Sequence, residues 1–407
     1  MRNLAGGHAS LRESYKETKI GKLPSSWNVL SLEAVTNPSA PIRYGVVQIG
    51  PDTPDGVPIV PIKHIRRIGE VRLHRASSKI EGLYAGSRVK AGDVLLSVKG
   101  TIGEVGVVPD NFAGNIAREI ARIRPKPTCD PYFLALQLAA DHTQRRIESK
   151  VVGSTRLEFS IHAVRDFLIA IPKSIDEQRK IAAILRAWDE ALEKLTALRG
   201  VKARMAASIR QKLFEAEYAS HNRLRRARDL FEPISERARP DLPLLAVMQD
   251  IGIVRRDELD RRVAMPDGDT SAYKVVRPGD FVISLRSFEG GLEYSQVLGL
   301  VSPAYTVLRP IVDVIGDYYR HFFKSSSFIG RLDKLIFGIR DGKQIAFRDF
   351  GDMLIPAPPR GAQIKQAEGL ALVESEVGLI DHQISLLTRQ KRGLMQKLLT
   401  GEWRVKV

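Results

Sequence analysis

The chain writes one short phrase twice. VKAGDVLLSVK at 89–99 returns as VRPGDFVISLR at 276–286, about 185 residues further along a chain of 407. A repeat at that spacing constrains the fold more than any local pattern, because each copy must build its own core on the same framework. Both phrases read as a strand entered through a Gly-Asp turn, Gly92-Asp93 and Gly279-Asp280. The register holds downstream. IARIRP at 120–125 meets YTVLRP at 305–310, PYFLALQL at 131–138 meets DYYRHFFK at 317–324, and Gly153 meets Gly338. VRDFLIAIP at 164–172 then meets FRDFGDMLIP at 347–356, and QKLF at 211–214 meets QKLL at 396–399. Stations kept in one order describe a tandem duplication.

Each copy ends in a long helical segment. From Asp176 to about Tyr218 there is no proline and one glycine, Gly200. Asp176 and Glu177 fall in the first turn, where carboxylates favour the helix dipole. The apolar positions are Ile181, Leu185, Trp188, Leu192, Leu195, Leu198, Met205, Ile209 and Leu213. In the second copy they are Leu370, Val373, Val377, Ile380, Ile384, Leu387, Leu394 and Leu398, a three-and-four alternation that makes a coiled-coil seam. Lys391 takes the one seam position that is not apolar. A stripe of this length needs a partner, and the obvious one is its twin, lying antiparallel. The expected order is a polar, mobile leader (1–19), a first domain (20–172), a first helix (173–221), a second domain (222–359) and a second helix (360–407). The fold class is α+β: two tandem-duplicated β-rich domains separated by two long helices packed as an antiparallel coiled coil.

Charge narrows the partner. Lys and Arg number 63 against 47 Asp and Glu, a formal charge of +16. A surplus of that size favours a polyanion, of which nucleic acid is the commonest. Cys129 is the only cysteine, which leaves no disulfide framework and no thiolate cluster for a metal and fits a reducing, cytoplasmic interior. No apolar run approaches the ~18 residues of a membrane span, and the start lacks the apolar stretch of a signal peptide.

Catalytic motifs are missing where they were sought. GTIGEVG at 100–106 lacks the Lys-Ser/Thr of a phosphate loop and the glycine spacing of a dinucleotide site, and reads as a turn between two strands. Asn37-Pro38 continues with Ser39 and Ala40 rather than with the residues of an adenine-methyltransferase motif, and reads as a turn. Asp52 and Asp55 in GPDTPDG read as loop chemistry. Asp189, Glu190 and Glu193 read as the wet face of the first helix. No enzyme is expected.

The candidate contacts to DNA are basic residues on loops of both copies, suited to guanine edges or phosphates. In the first domain they are Lys63, His64, Arg66, Arg67 and Arg75, then Lys99 with Thr101, Arg118 and Arg156. In the second they are Arg255, Arg256, Arg261 and Arg262, then Arg286 with Ser287, Arg340 and Lys343. Lys99 and Arg286 are the foremost pair, at matching stations just past a buried strand. RLRRAR at 223–228 reads as a phosphate-contacting hinge or as a polar linker.

With these stations in view, the chain resembles the DNA-specificity subunit of type I restriction–modification systems. The resemblance rests on IGKLPSSW at 20–27, YGVVQIGPDTPDGVPIVPIKHI at 44–65, GDVLLSVKGTIGEVGVV, IAIPKSIDEQRKIAAIL and LTGEW at 399–403, and it covers about 20 to 405. It implies two target-recognition domains, each reading half of a split site in double-stranded DNA, with the helices as spacer. It also implies docking of two methyltransferase subunits that bring S-adenosylmethionine, this chain holding no cofactor itself, and of motor-nuclease subunits that cleave unmodified DNA. A methylation-only or type II-like assembly, or a coiled-coil scaffold without DNA, are the alternatives. One departure stands out: PKSIDEQRKI opens the first helix and PPRGAQIKQA the second, so Gly361-Ala362 replaces Asp176-Glu177.

Overall fold

The computed structural model describes residues 14–152, 157–249, 252–259, 270–283, 291–336 and 347–406. The chain divides into two compact units, residues 1–194 with 384–407, and residues 195–383. Each unit holds one β-rich domain together with part of each long helix.

The duplication reappears as topology. The first unit contains a four-stranded antiparallel sheet in the order Arg43–Tyr44, Ile120–Ile123, Val94–Ser97, Val105–Val107. The second repeats that order with Phe231–Ile234, Thr306–Pro310, Phe281–Ile283 and Glu293–Tyr294. A two-stranded ladder also recurs, Trp27–Ser31 on Leu168–Pro172 and Leu224–Arg226 on Leu354–Pro356. RLRRAR is therefore neither hinge nor linker. Its Leu224–Arg226 portion is a sheet strand, and Arg226 and Arg228 both reach Asp352, at 2.9 and 2.7 Å.

The repeated phrase is built around an acid. Gly92 and Gly279 adopt left-handed backbone (φ +77° and +97°), which glycine takes without a β-carbon penalty. The turn they make buries Asp93 and Asp280 almost completely. Asp93 accepts the backbone N–H of Lys90 and two bonds from the Arg124 guanidinium, both at 2.7 Å. Asp280 accepts the N–H of Arg277 and two bonds from Arg309, again both at 2.7 Å. The final Arg-Pro of IARIRP and YTVLRP thus reaches back to the Gly-Asp of the phrase, tying two neighbouring strands by a bidentate, charge-assisted pair.

Each helix is locked to its domain by a glutamine. Gln178 donates to the carbonyls of Thr128 and Pro172 and accepts from the N–H of Asp130. Gln363 donates to Pro358 and accepts from Ile315. The sequence departure one residue earlier has a paired cause. Glu177 accepts the indole N–H of buried Trp27 at 3.2 Å and a bidentate bond from Arg404. The strand position of Trp27, opposite Pro172, is taken in the second unit by Leu224, opposite Pro356. Leucine has no N–H to satisfy, and Ala362 offers no acceptor.

The long helices run Ile175–Ala219 and Arg360–Leu399, 45 and 40 residues. At ~1.5 Å per residue they are about 68 and 60 Å long. Within each unit they lie antiparallel, and their ends enter the domain cores. Ile181, Leu185, Leu398 and Leu399 join Trp27, Phe133 and Leu134 in the first core. Phe214, Tyr218 and Leu370 join Phe231, Phe281 and Phe322 in the second. Along the second helix Val373, Val377, Ile384, Leu387 and Leu394 are half-buried and Ile380 is buried, on the expected seam. Trp188, Leu192, Leu195, Ile209 and Leu213 of the first are half-buried.

Four expectations are corrected. Leu198 and Met205 are not seam residues; they are 44% and 53% exposed. Four-and-three spacing from Leu195 lands on Arg199, Lys202 and Ala206, one residue away from the apolar pair. Arg199 meets Asp381 at 3.1 Å and Lys202 meets Glu376 at 2.7 Å, so this stretch of the second unit's seam is ionic. Asp189, still 44% exposed, stands where the wet face meets the seam and pairs with Lys391, giving that seam cation its counter-ion. Finally, Tyr15–Thr18 is a strand paired with Gly21–Pro24, so the expected leader is shortened at its end; residues 1–13 lie outside the described residues. The second helix likewise stops at Leu399, where Gly401 (φ +72°) turns the chain and packs on Pro24 and Trp27.

The clamps carry a prediction. Arg124→Ala leaves Asp93 buried without its counter-ion, and Arg309→Ala does the same to Asp280. Each should cost about 3–5 kcal/mol in denaturant unfolding. Losses below about 1 kcal/mol, the level of an exposed pair, would mean that the strands hold without the clamp.

Candidate nucleic-acid interface

The clearest cluster of candidate contacts lies at the tip of the first unit's hairpin. Val94–Ser97 and Val105–Val107 pair antiparallel, so GTIGEVG is the turn expected of it. Gly103 has φ +94°, and a β-carbon there would run into the Gln144 carboxamide. Lys99 and exposed Thr101 sit on this turn. The loop carrying Lys63, His64 and Arg66 is brought alongside: Arg66 pairs with Glu104 at 2.8 Å, and the Ile65 carbonyl lies against Gly106 so closely that only glycine fits.

Lys99 is held by two groups of its own domain. Its ammonium is 3.2 Å from the Glu158 carboxylate and 4.5 Å from the centre of the Tyr44 ring, a cation–π contact. Tyr44 closes the triangle by donating its hydroxyl to Glu158 at 2.8 Å. Burial, with the bond to Glu158, pushes the Tyr44 phenol up to about 12. The Tyr44 hydroxyl first, and Lys99 after it, hold the Glu158 carboxyl below the usual range. The result is a cation positioned by packing rather than swinging freely, with about a third of its side chain exposed.

The remaining candidates are spread out. Arg67 pairs with Glu70 at 2.9 Å and Arg118 with its neighbour Glu119 at 3.1 Å, both exposed. Arg75 belongs to a different sheet, Val57–Val60 with Arg75–Ala76 and Asn115–Ile116, where its Nε donates to the Gly56 carbonyl. Asp52 accepts the Arg75 N–H and pairs with Arg72 at 2.9 Å, which agrees with loop chemistry. Asn37 accepts the Ser39 N–H, the turn read from the sequence. In the second unit Arg255 pairs with Asp257 at 2.7 Å and the Arg256 Nε donates to the Leu245 carbonyl. Arg156, Arg261, Arg262, Arg286, Ser287, Arg340 and Lys343 lie outside the described residues, as do Gly153 and Gly338.

Tyr44 and Glu158 were missed as site residues. They are 114 positions apart in the chain, and no spacing in the sequence connects them with Lys99. The inserts are the parts that differ between copies. The first unit adds the three-stranded sheet, one of whose pairings is parallel. The second adds two antiparallel pairs, Leu245–Met248 with Gly252–Arg255 and Lys274–Val276 with Gly299–Val301.

Among the described residues no helix is long and apolar enough to cross a membrane. Residues 53–203 match the family model described as type I restriction modification DNA specificity domain. The type I restriction enzyme EcoBI specificity subunit of Escherichia coli is 30% identical over 179 residues, 42% of this chain and 37% of that relative's length. The fold is that of two solved chains. One is the type I restriction-modification system S subunit from M. genitalium (TM-score 0.54, 17% identity, 92% of this chain and 96% of that one). The other comes from work on complex assembly and conformational transition of a type I system (TM-score 0.57, 19% identity, 94% and 99% covered). Residues 53–203 thus resemble the DNA specificity domain of type I restriction–modification systems, and the chain as a whole shares the fold of the two solved chains.

Proposed function

We propose that this chain is the non-catalytic, sequence-specific DNA-binding subunit of a type I restriction–modification complex. Each β-rich domain reads one half of a bipartite site. The helices set the gap between the halves and dock two methyltransferase subunits, which carry S-adenosylmethionine; motor-nuclease subunits complete the assembly. The observation that carries this reading is the combination of a repeated scaffold with unlike inserts. Two domains with one framework, one clamp and the same glutamine at the helix start present different loop sheets, as two readers of different half-sequences would. The +16 charge supplies the non-specific attraction to phosphate.

The direct test is duplex binding by this chain, alone and with a methyltransferase partner, at several salt concentrations. With six to ten phosphates neutralised, affinity should fall by roughly 10³–10⁵ between 50 and 200 mM salt. Salt-independent or absent binding in both forms would favour the scaffold reading.

Lys99 and Arg286 separate base reading from phosphate contact. Lys99→Ala should relax preference in one half-site and Arg286→Ala in the other, each costing about 1–3 kcal/mol of discrimination. A uniform loss across all sequences would reassign them to phosphate.

The helices should act as a ruler. One heptad inserted after Leu195 and another after Ile380 keeps the seam in register and adds ~10 Å. At about 3.4 Å per base pair the preferred gap should widen by up to ~3 base pairs, measured by mapping methylated sites. A folded double-insertion variant that keeps the original gap would leave the helices as docking surfaces only.

A further inference from the structure

The first unit contains a cationic cavity that none of the candidate DNA contacts lines. It measures about 420 Å³ and lies between the four-stranded sheet and the 85–90 loop. Its walls carry Arg43, Arg88, Lys90, Arg122 and Arg124. Two of these are neutralised. Arg124 is clamped by Asp93, and Arg88 makes a bidentate pair with buried Glu81, which Asn115 also holds. The other three have no ion-pair partner among the described residues.

Arg122 is the unusual member. Its residue is only 2% exposed. Its two terminal nitrogens donate to the carbonyls of Arg88 and Pro41, at 3.1 and 2.8 Å, and its Nε has no partner. Burial, then the charge of Arg124, pushes its pKa down, but a guanidinium does not lose its proton in a protein. A full positive charge is therefore buried with hydrogen bonds only to neutral carbonyls; the Asp93 carboxylate supports it from nearby but is already paired with Arg124, so a further counter-charge would add stability.

The second unit serves as an internal control. Arg122 stands opposite Leu95 and Arg43; at the same place in the twin sheet Val307 stands opposite Val282 and Ile234. The framework thus closes with valine and isoleucine where the first unit has two arginines. Packing does not require those charges. Arg43 also reaches over Gly86, with its Nη1 2.6 Å from the point where a β-carbon would stand, so glycine keeps the wall open to it.

We infer that this cavity is a phosphate-binding site confined to the first domain, with Arg43, Lys90 and Arg122 as its anion-binding cations. Guanidinium forks match phosphate oxygens, and Lys90 adds a mobile point charge at the mouth. The phosphate comes either from the backbone of duplex DNA, in which case the inference rests on the DNA-binding reading, or from free phosphate or a nucleotide.

The test uses the full chain and the twin's own residues: Arg122→Val, Arg43→Ile and the double variant. Thermal shift and calorimetry with inorganic phosphate, against chloride at equal ionic strength, read the site without DNA. The wild type should be stabilised by phosphate, and affinity should fall about tenfold or more in each variant. Arg43 is exposed, so Arg43→Ile keeps the test open should Arg122→Val not fold. A drop of about one in the salt slope of duplex binding in the double variant, with competition by phosphate, would assign the anion to the DNA backbone. An unchanged slope with the phosphate response lost in the variants would assign it to a free anion. Failure of the wild type to bind any duplex would remove the DNA reading and leave the phosphate response to stand by itself. A wild type that responds to neither phosphate nor, through the double variant, a changed salt slope would overturn the inference, as would a phosphate response undiminished in Arg122→Val and Arg43→Ile.

Discussion

Both domains depend on one ion pair. Arg124 on Asp93, and Arg309 on Asp280, fasten the exit of one sheet strand to the entry turn of its neighbour. The acid is buried, the turn needs a left-handed glycine, and the arginine must stand at the end of the neighbouring strand. Those demands explain why a Gly-Asp phrase and an Arg-Pro phrase travel together through both copies. The most conspicuous repeat in the sequence is thus a structural device.

The helix pair shows a second economy of the same kind. Long apolar seams tolerate slippage by a heptad, because one turn of leucines packs much like the next. Charges at seam positions remove that freedom at some cost in stability. Asp189 with Lys391 does so in the first unit, and Arg199 with Asp381 and Lys202 with Glu376 in the second. A helix pair that joins two domains gains more from one fixed register than from the last increment of stability.

Much of this was legible in the sequence. The duplication, both helices and the seam of the second were readable because they are periodic. The polar stretch of the first helix was not, because Leu198 and Met205 offer an apolar pattern one residue away from the geometric one, and only the facing helix decides between them. The strand in RLRRAR was hidden by its charges, since Leu224–Arg226 has one partly buried residue and its arginines find Asp352 from another part of the chain. Around Lys99, the residue type and position were visible while its partners were not. Tyr44 and Glu158 come from distant segments, as do Arg43 and Arg122, whose joint cavity has no signature in either stretch taken separately.

Trp27 and Glu177 give the two domain positions different locks. The indole N–H is buried and satisfied only because the first helix begins with an acid at that point. Leu224 above Ala362 has no such need. A gene fusion that moved the first domain into the second slot would strand that N–H against alanine, at about 1–3 kcal/mol. A move in the other direction would leave Glu177 without the indole. A domain moved between the two positions must therefore bring the opening turn of its following helix with it, so the self-sufficient unit is longer than the β-rich domain alone.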